Sequence, residues 1–149
     1  MKRHWIAAMA ASMVMVFSSV CMATVPSDAI ALSGIAPGSD VGTAKSILGE
    51  PSYAGRKLYF PNGIIIEVDK HNPNLVEEIE TKASDGIATP SGVQVGMEEG
   101  VLRDIYGEPD KMDLDYDEHE YTYYSTDFLK KMKFEARNGI ITEIKCEMR

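Results

Sequence analysis

The sequence predicts an α+β protein made of two tandem repeats, each a short helical segment followed by a three-stranded antiparallel meander. The strands of both repeats are expected to form one sheet of about six strands, with the helices on one face. Two observations predict this fold: glycines and prolines recur when the chain is shifted by 58 positions, and the same order of helix and strand patterns follows each copy. The residues that superpose are Gly34 and Gly92, Gly38 and Gly96, Gly42 and Gly100, Ile47 and Ile105, Gly49 and Gly107, Glu50 and Glu108, and Pro51 and Pro109.

Residues 1–23 have the features of a signal peptide. A basic start precedes an uncharged apolar run from Trp5 to Val20, and Ala23 suits a cleavage site. The run of about 16 residues is shorter than a membrane span requires. Lipid attachment at Cys21 and an uncleaved anchor are the alternatives. We therefore expect an extracytoplasmic protein (periplasmic, envelope-associated or secreted) with no transmembrane span in the mature chain.

Charge and cysteine content restrict the possible partners and the source of stability. The 149 residues include 15 Lys and Arg against 23 Asp and Glu, and loss of Lys2 and Arg3 with the signal peptide changes the formal charge from -8 to -10. Nucleic acid and anionic lipid headgroups attract basic surfaces, so neither is an expected partner. Cleavage after Ala23 leaves Cys146 as the single cysteine. Without an intrachain disulfide, stability must come from the hydrophobic core.

The first repeat spans residues 34–83 and follows an N-terminal lead over residues 24–33. A helix capped by Asp40 or Ser39 is expected to end at Gly49, because Gly commonly ends helices and a proline follows it two positions later. The apolar positions of this helix, spaced to share one face, are Val41, Ala44, Ile47 and Leu48, and strands are predicted over residues 57–60, 64–68 and 75–81.

The second repeat spans residues 92–149, after a linker over residues 84–91 that contains Gly86 and Pro90. Its helix is expected to end at Gly107, and an Asn-Gly turn before Ile140 gives the strongest hairpin signal in the chain. The apolar positions of this helix are Val101, Leu102, Ile105 and Tyr106, and strands are predicted over residues 120–124, 131–136 and 140–148.

Alternation along these strands predicts a sheet with one buried face and one solvated face. In the last strand Ile144, Cys146 and Met148 share a face, so we expect the Cys146 thiol to be buried. The helices must cover this apolar face. The same alternation places Met132, Phe134 and Ala136 on the buried face and Lys131, Lys133 and Glu135 on the solvated one.

A family resemblance rests on the helix ending, Leu48 to Pro51, which recurs as Tyr106 to Pro109. A short helix that ends in Leu-Gly-Glu-Pro and leads into a three-stranded meander resembles the SmpA/OmlA (BamE) domain, and its tandem form is similar to the beta-lactamase inhibitor protein family. The resemblance covers roughly residues 34–148. It implies a helix-on-sheet fold, a cell-envelope or secreted location, and protein binding rather than catalysis.

The acidic stretch over residues 110–120 is the main candidate for cation binding. Its opening, Asp113 to Asp117, is similar to the start of a calcium loop, but such a loop needs glycine at its sixth position and glutamate at its twelfth. Glu118 and Tyr124 stand there instead. A solvated, charged connection is the favoured interpretation, and cation binding stays open.

The sequence offers little for catalysis. His71 and His119 have no histidine or cysteine at metal-ligand spacing, and no nucleophile or phosphate-binding motif is present. We therefore predict a protein that is not an enzyme, with no metal site and no cofactor.

Tyrosines in the first strand of each repeat are the candidate partner-binding residues. If Leu58 and Phe60 face the core, Tyr59 points to solvent, and matching the repeats extends this prediction to Tyr121 and Tyr123. Tyrosine offers a large, rigid contact area and is enriched at binding hot spots. The alternative is that these tyrosines only brace neighbouring strands. A shift of one residue in register would reverse every assignment.

Two functions follow from these observations. The first is an exported, non-enzymatic protein-binding module of the cell envelope, whose partner is another envelope or secreted protein. The second is a secreted proteinaceous enzyme inhibitor that occupies a cleft of its target with a loop or with the sheet face.

Overall fold

A computed structural model describes residues 25–149; the predicted signal peptide and its cleavage site lie outside the described residues. The described chain contains a 3₁₀ turn, two helices and eight strands. They are the turn Ser27–Ala29, α1 (Val41–Leu48), β1 (Ser52–Ala54), β2 (Lys57–Tyr59), β3 (Ile64–Val68), β4 (Val76–Thr81), α2 (Val101–Tyr106), β5 (Lys111–Leu114), β6 (Glu118–Tyr124), β7 (Lys130–Arg137) and β8 (Ile140–Met148).

All eight strands form one antiparallel sheet in the order β1-β2-β3-β4-β8-β7-β6-β5. The α+β class and the single sheet are therefore as predicted. The predicted meander of three strands is wrong, because each helix is followed by four strands. The additional strands are the two sheet edges, β1 and β5. We call residues 34–83 and 92–149 the two halves of the chain. Their last strands, β4 and β8, pair at the centre of the sheet.

The sequence patterns do not predict the two edge strands, for physical reasons. β1 has only three residues and begins directly after Pro51. β5 lies in the acidic stretch over residues 110–120, where Asp113 and Asp115 suggest a solvated connection. All four residues of β5 are exposed, so no buried face marks it as a strand. The predicted charged connection is thus partly a strand.

The helices begin and end largely as expected. The Asp40 side chain accepts a hydrogen bond from the Thr43 N–H at 2.8 Å and caps α1. Gly49 and Gly107 have φ values of 90° and 79°, and each donates its N–H to a carbonyl of the last helical turn. The predicted apolar stripes are wrong at Ile47 and Ile105, which are 54% and 43% exposed. These isoleucines lie in the last turn of very short helices.

The core lies between one face of the sheet and the helices with the segments that precede them. One row of this face runs across the sheet through residues paired from β2 to β6. Its members are Leu58, Ile66, Ile79, Cys146, Met132 and Tyr123, and all are buried. From the other side the core receives Ile30, Leu32, Ile35, Ala44, Val93 and Leu102.

The two halves make matching backbone contacts. The Gly38 N–H donates to the Val76 carbonyl at 2.7 Å, and the Gly96 N–H donates to the Ile141 carbonyl at 2.8 Å. These bonds join the segment before each helix to the start of the last strand of its half.

A register shift provides a second match between the halves. It falls between Glu67 and Val68 in β3 and between Glu135 and Ala136 in β7. Glu67 and Glu135 therefore occupy corresponding positions in the two halves.

Within residues 25–149, no helix is both long enough and apolar enough to cross a membrane.

Candidate functional site

The sheet face opposite the core is lined by lysine and glutamate, and we call it the charged face. Because successive side chains of a strand point to opposite faces, the neighbours of the core residues lie here. Its charged residues on the six inner strands are Lys57, Glu67, Glu78, Glu80, Glu118, Glu120, Lys131, Lys133, Glu135, Arg137, Glu143, Lys145 and Glu147.

Lys145 is the central cation of this face. Its Nζ lies 3.1 Å from Glu80, 3.5 Å from Glu78 and 3.7 Å from Glu143. Glu80 and Glu143 are only 7% and 5% exposed. Buried carboxylates require cations nearby, because removing charge from water is costly. Lys145 meets this need for both.

The pKa values on this face follow from burial and pairing. Burial opposes ionisation of Glu80, but Lys145 and Lys57 more than offset it, so the pKa of Glu80 is lowered. Burial also opposes the charge of Lys145, yet Glu80, Glu78 and Glu143 raise its pKa. For Glu78, burial dominates and raises the pKa of the carboxyl.

Further ion pairs extend across the face. Lys57 lies 3.8 Å from Glu80, Lys133 lies 3.2 Å from Glu120, and the Lys131 ammonium lies 2.8 Å from the Glu147 carboxylate. Lysine–glutamate ion pairs therefore extend over much of this surface.

A small cavity opens where β7 and β8 meet at one end of the charged face. Its volume is about 210 Å³. The residues that line it carry both signs of charge: Lys82, Glu135, Arg137, Thr142 and Glu143.

Tyr59 lies on the charged face, as predicted. It is 40% exposed, whereas the side chain of Leu58 is buried in the core. Its cross-strand neighbour is Ile65, which is half-buried. Tyr59 and Ile65 thus provide apolar contact area beside the charged residues.

The outward orientation predicted for Tyr121 and Tyr123 is wrong. They are 8% and 0% exposed, and they pair across the sheet with Phe134 and Met132 of the core face. Tyr121 faces Phe134, the second residue before the β7 register shift, and Leu58 likewise faces Ile66, the second residue before the β3 shift. The core residue Leu58, not Tyr59, is therefore the counterpart of Tyr121.

Packing explains why Tyr123 is buried. Its ring lies 5.3 Å from the ring of Tyr106 in α2 and 6.0 Å from the ring of Phe134, between centroids. Its hydroxyl donates to the Gly107 carbonyl at 3.2 Å. The tyrosine fills the space beneath α2, and its polar end satisfies a helix-terminal carbonyl.

A polar cluster beside α2 was not predicted. His119 Nδ1 and the Tyr121 hydroxyl lie 3.0 Å and 3.1 Å from the same Glu99 oxygen. Burial and the Glu99 charge raise the pKa of Tyr121. Glu99 is 20 or more positions away from both residues in sequence, so no local spacing could reveal the cluster.

Cys146 is buried as predicted, and burial raises the pKa of its thiol. Within residues 25–149, no group of three or more His, Cys, Asp or Glu side chains is arranged to hold a metal ion.

Comparison with known proteins gives a fold likeness. No protein-family model and no curated protein matches the chain. A crystal structure of YjgB, a DUF4309 family protein from Bacillus subtilis, is similar with a TM-score of 0.51 and 15% identity, over 74% of this chain and 79% of that one. An extracellular protein containing an SCP domain, from Bacillus anthracis, has a TM-score of 0.47 and 9% identity, over 75% of this chain and 44% of that one. At 15% identity, the first likeness concerns the fold alone.

Proposed function

We propose that this chain is an exported, non-enzymatic protein-binding module and that the charged face is its binding surface. The observation that carries the proposal is the asymmetry of the sheet: one face is buried under the helices, while the other presents paired lysines and glutamates with Tyr59 and Ile65 beside them. Export is supported by the pattern over residues 1–23.

The chemistry of the charged face suits recognition of another protein. Ion pairs that are already formed hold long side chains in defined positions, so less entropy is lost when a partner binds. Tyr59 adds an aromatic side chain of the type that often dominates interface energy.

The same proposal extends to ancestry. The matching contacts of Gly38 and Gly96 and the matching shifts at Glu67 and Glu135 support a tandem duplication. A SmpA/OmlA-like origin, with protein binding in the envelope, agrees with the helix endings at Gly49 and Gly107.

Tyr59→Ser provides the test. The tagged protein, captured on beads, is exposed to envelope and secreted fractions, and the bound protein is then measured by titration. We expect binding to weaken at least tenfold, about 1.4 kcal/mol, with an unchanged melting temperature because Tyr59 is substantially exposed.

Tyr116→Ser is the matched control, because Tyr116 is fully exposed in the turn before β6. It should bind like the parent. Normal binding by Tyr59→Ser would place the binding surface elsewhere on the molecule.

The turn between β6 and β7 favours the second function, enzyme inhibition by a loop. Phe128 and Leu129 are 51% and 58% exposed there, and Phe128 has a φ of 58°, which is strained for a bulky residue. The turn is held by Asp127, whose carboxylate accepts hydrogen bonds from the Ser125 hydroxyl and the Leu129 N–H. A rigid apolar turn suits insertion into a cleft.

A panel of secreted hydrolases assayed with the parent and with a Phe128→Ser variant tests this alternative. Inhibition that disappears in Phe128→Ser and persists in Tyr59→Ser would favour the inhibitor.

A further inference from the structure

One row of the charged face contains four acidic residues directly opposite one another. Asp113 pairs with Glu120, Glu120 with Glu135, and Glu135 with Glu143, across β5, β6, β7 and β8. Like charges directly opposite each other destabilise a sheet. The fold therefore bears an electrostatic cost at this row.

Cations offset this cost everywhere on the inner strands except at Glu135. Glu120 has Lys133 at 3.2 Å, and Glu143 has Lys82 at 2.9 Å. Among the described carboxylates that the six inner strands place on the charged face, Glu135 is the one without a cation within 4.0 Å. The partnered carboxylates of these strands are Glu67, Glu78, Glu80, Glu118, Glu120, Glu143 and Glu147.

The charges around Glu135 are reflected in its protonation. Burial raises the pKa of the Glu135 carboxyl first, and the nearby Glu143 and Glu118 raise it further. Lys82 acts in the opposite direction and lowers this pKa. An additional positive charge at this point would also favour the ionised carboxylate and so oppose the effects of burial and of the neighbouring acids.

The first half shows that the fold does not require an unpaired acid at the position of Glu135. Glu67 corresponds to Glu135 through the register shift, and Glu67 is paired with both Arg56 and Lys57. Lys57 lies opposite Glu67 as Glu120 lies opposite Glu135. Glu120 thus stands in the second half at the position where the first half has Lys57, which pairs with Glu67.

Space is available beside the unpaired carboxylate. Glu135 lines the cavity of about 210 Å³, together with Thr142 and the buried Glu143. That volume accommodates the end of a lysine or arginine side chain. Lys82 and Arg137 lie at the same cavity, but they pair with Glu143 and Glu118.

We propose that this cavity receives a lysine or arginine side chain of the partner protein, which pairs with Glu135. The inference rests on the proposed function and specifies the partner: a protein with a protruding basic side chain on an otherwise compatible surface. The cavity lining itself carries two cations and two carboxylates, so the charge complementarity comes from the adjoining acidic row that Glu135 shares with Asp113, Glu120 and Glu143.

Two matched variants, Glu135→Gln and Glu67→Gln, test the proposal, since both remove one negative charge from corresponding positions. The probe is a hexa-arginine peptide, titrated into the purified chain at low and moderate salt. Glu135→Gln should weaken peptide binding at least tenfold, whereas Glu67→Gln should stay within threefold of the parent. Equal effects of the two variants would show attraction to net charge alone and overturn the proposal.

Thermal unfolding gives a readout that needs no partner. Glu135→Gln should raise the melting temperature by relieving repulsion in the row, and Glu67→Gln should lower it by breaking ion pairs. A lower melting temperature for Glu135→Gln would mean that the carboxylate is already stabilised and would overturn the proposal.

The outcome can be separated from that of the proposed function. If a captured partner binds Glu135→Gln normally but no longer binds Tyr59→Ser, the proposed binding module is supported and the cavity inference is wrong. If the partner binds neither variant, both proposals are supported.

Discussion

At the residue scale, Lys145 is the lysine whose ion pairs should stabilise the charged face most. It is the one lysine of this face with three carboxylates within 4.0 Å among the described residues. Two of these, Glu80 and Glu143, are more than nine-tenths buried. Removing a cation from buried acids costs more than removing an exposed ion pair, because the acids cannot regain water.

Lys145→Met should therefore destabilise the protein by about 2 kcal/mol. The cost stays below that of a fully isolated buried charge, since Lys57 and Lys82 still contact Glu80 and Glu143. Urea unfolding measures the change. Lys131→Met is the control, because its more exposed pair should contribute less than about 1 kcal/mol. Equal losses in the two variants would contradict a central role for Lys145.

The same variant has a pH signature. The folded pKa of Glu80 is lowered, so its stabilising contribution is present above its ordinary pKa near 4.5 and is lost as the pH falls through the lowered value. Lys145 is a main cause of that lowering. The stability difference between the parent and Lys145→Met should shrink as the medium is acidified below this range. A difference that is constant with pH would contradict the proposed pairing.

At the element scale, both helices depend on the glycine that ends them. Gly49 and Gly107 combine φ values of 90° and 79° with ψ values of -168° and -161°, a region occupied almost solely by glycine. A β-carbon added at either glycine would meet no other atom within 4 Å. Any penalty for a larger residue must therefore come from the backbone.

Gly49→Ala and Gly107→Ala should each cost about 1–3 kcal/mol of unfolding free energy. Gly100→Ala is the control, because Gly100 has a φ of -56° and free space around it. It should be neutral or slightly stabilising. Chemical denaturation of the three variants checks the prediction, and unchanged midpoints for the first two would show that the backbone relaxes without strain.

The elements differ in how far the sequence could predict them. Both helices and the longer strands carry strong local signals: a cap at Asp40, the two terminal glycines, and alternation in β7 and β8. No such signal indicates which residues of β6 point to the core face, because each residue from Tyr121 to Tyr124 could lie on either the core face or the charged face. Only the register with β7 decides it.

The candidate site was less predictable than the fold. Tyr59 could be placed because apolar neighbours flank it. Glu135 could not be distinguished from other strand glutamates, since what sets it apart is the cross-strand contact with Glu120 and Glu143. Such contacts depend on pairing between distant segments and on a register shift, neither of which leaves a local pattern.

At the scale of the whole molecule, the two halves share both a sheet and a core. β4 and β8 pair through four residue pairs at the centre, and Ile79 faces Cys146 there on the core side. Neither half can expose this pair of strands without losing apolar burial in the other. The molecule should therefore unfold as one cooperative unit.

Ile79→Ala tests this cooperativity. Ile79 is fully buried, so the truncation should cost about 2–4 kcal/mol through lost burial and a cavity. Because the lesion lies where the halves join, amide hydrogen exchange in β2–β3 and in β6–β7 should accelerate by similar factors, with one shared denaturation midpoint. Ile140→Ala, at a residue 39% exposed, is the control and should leave both regions nearly unchanged. Faster exchange in β2–β3 alone, with β6–β7 still protected, would show that the second half folds independently of the first.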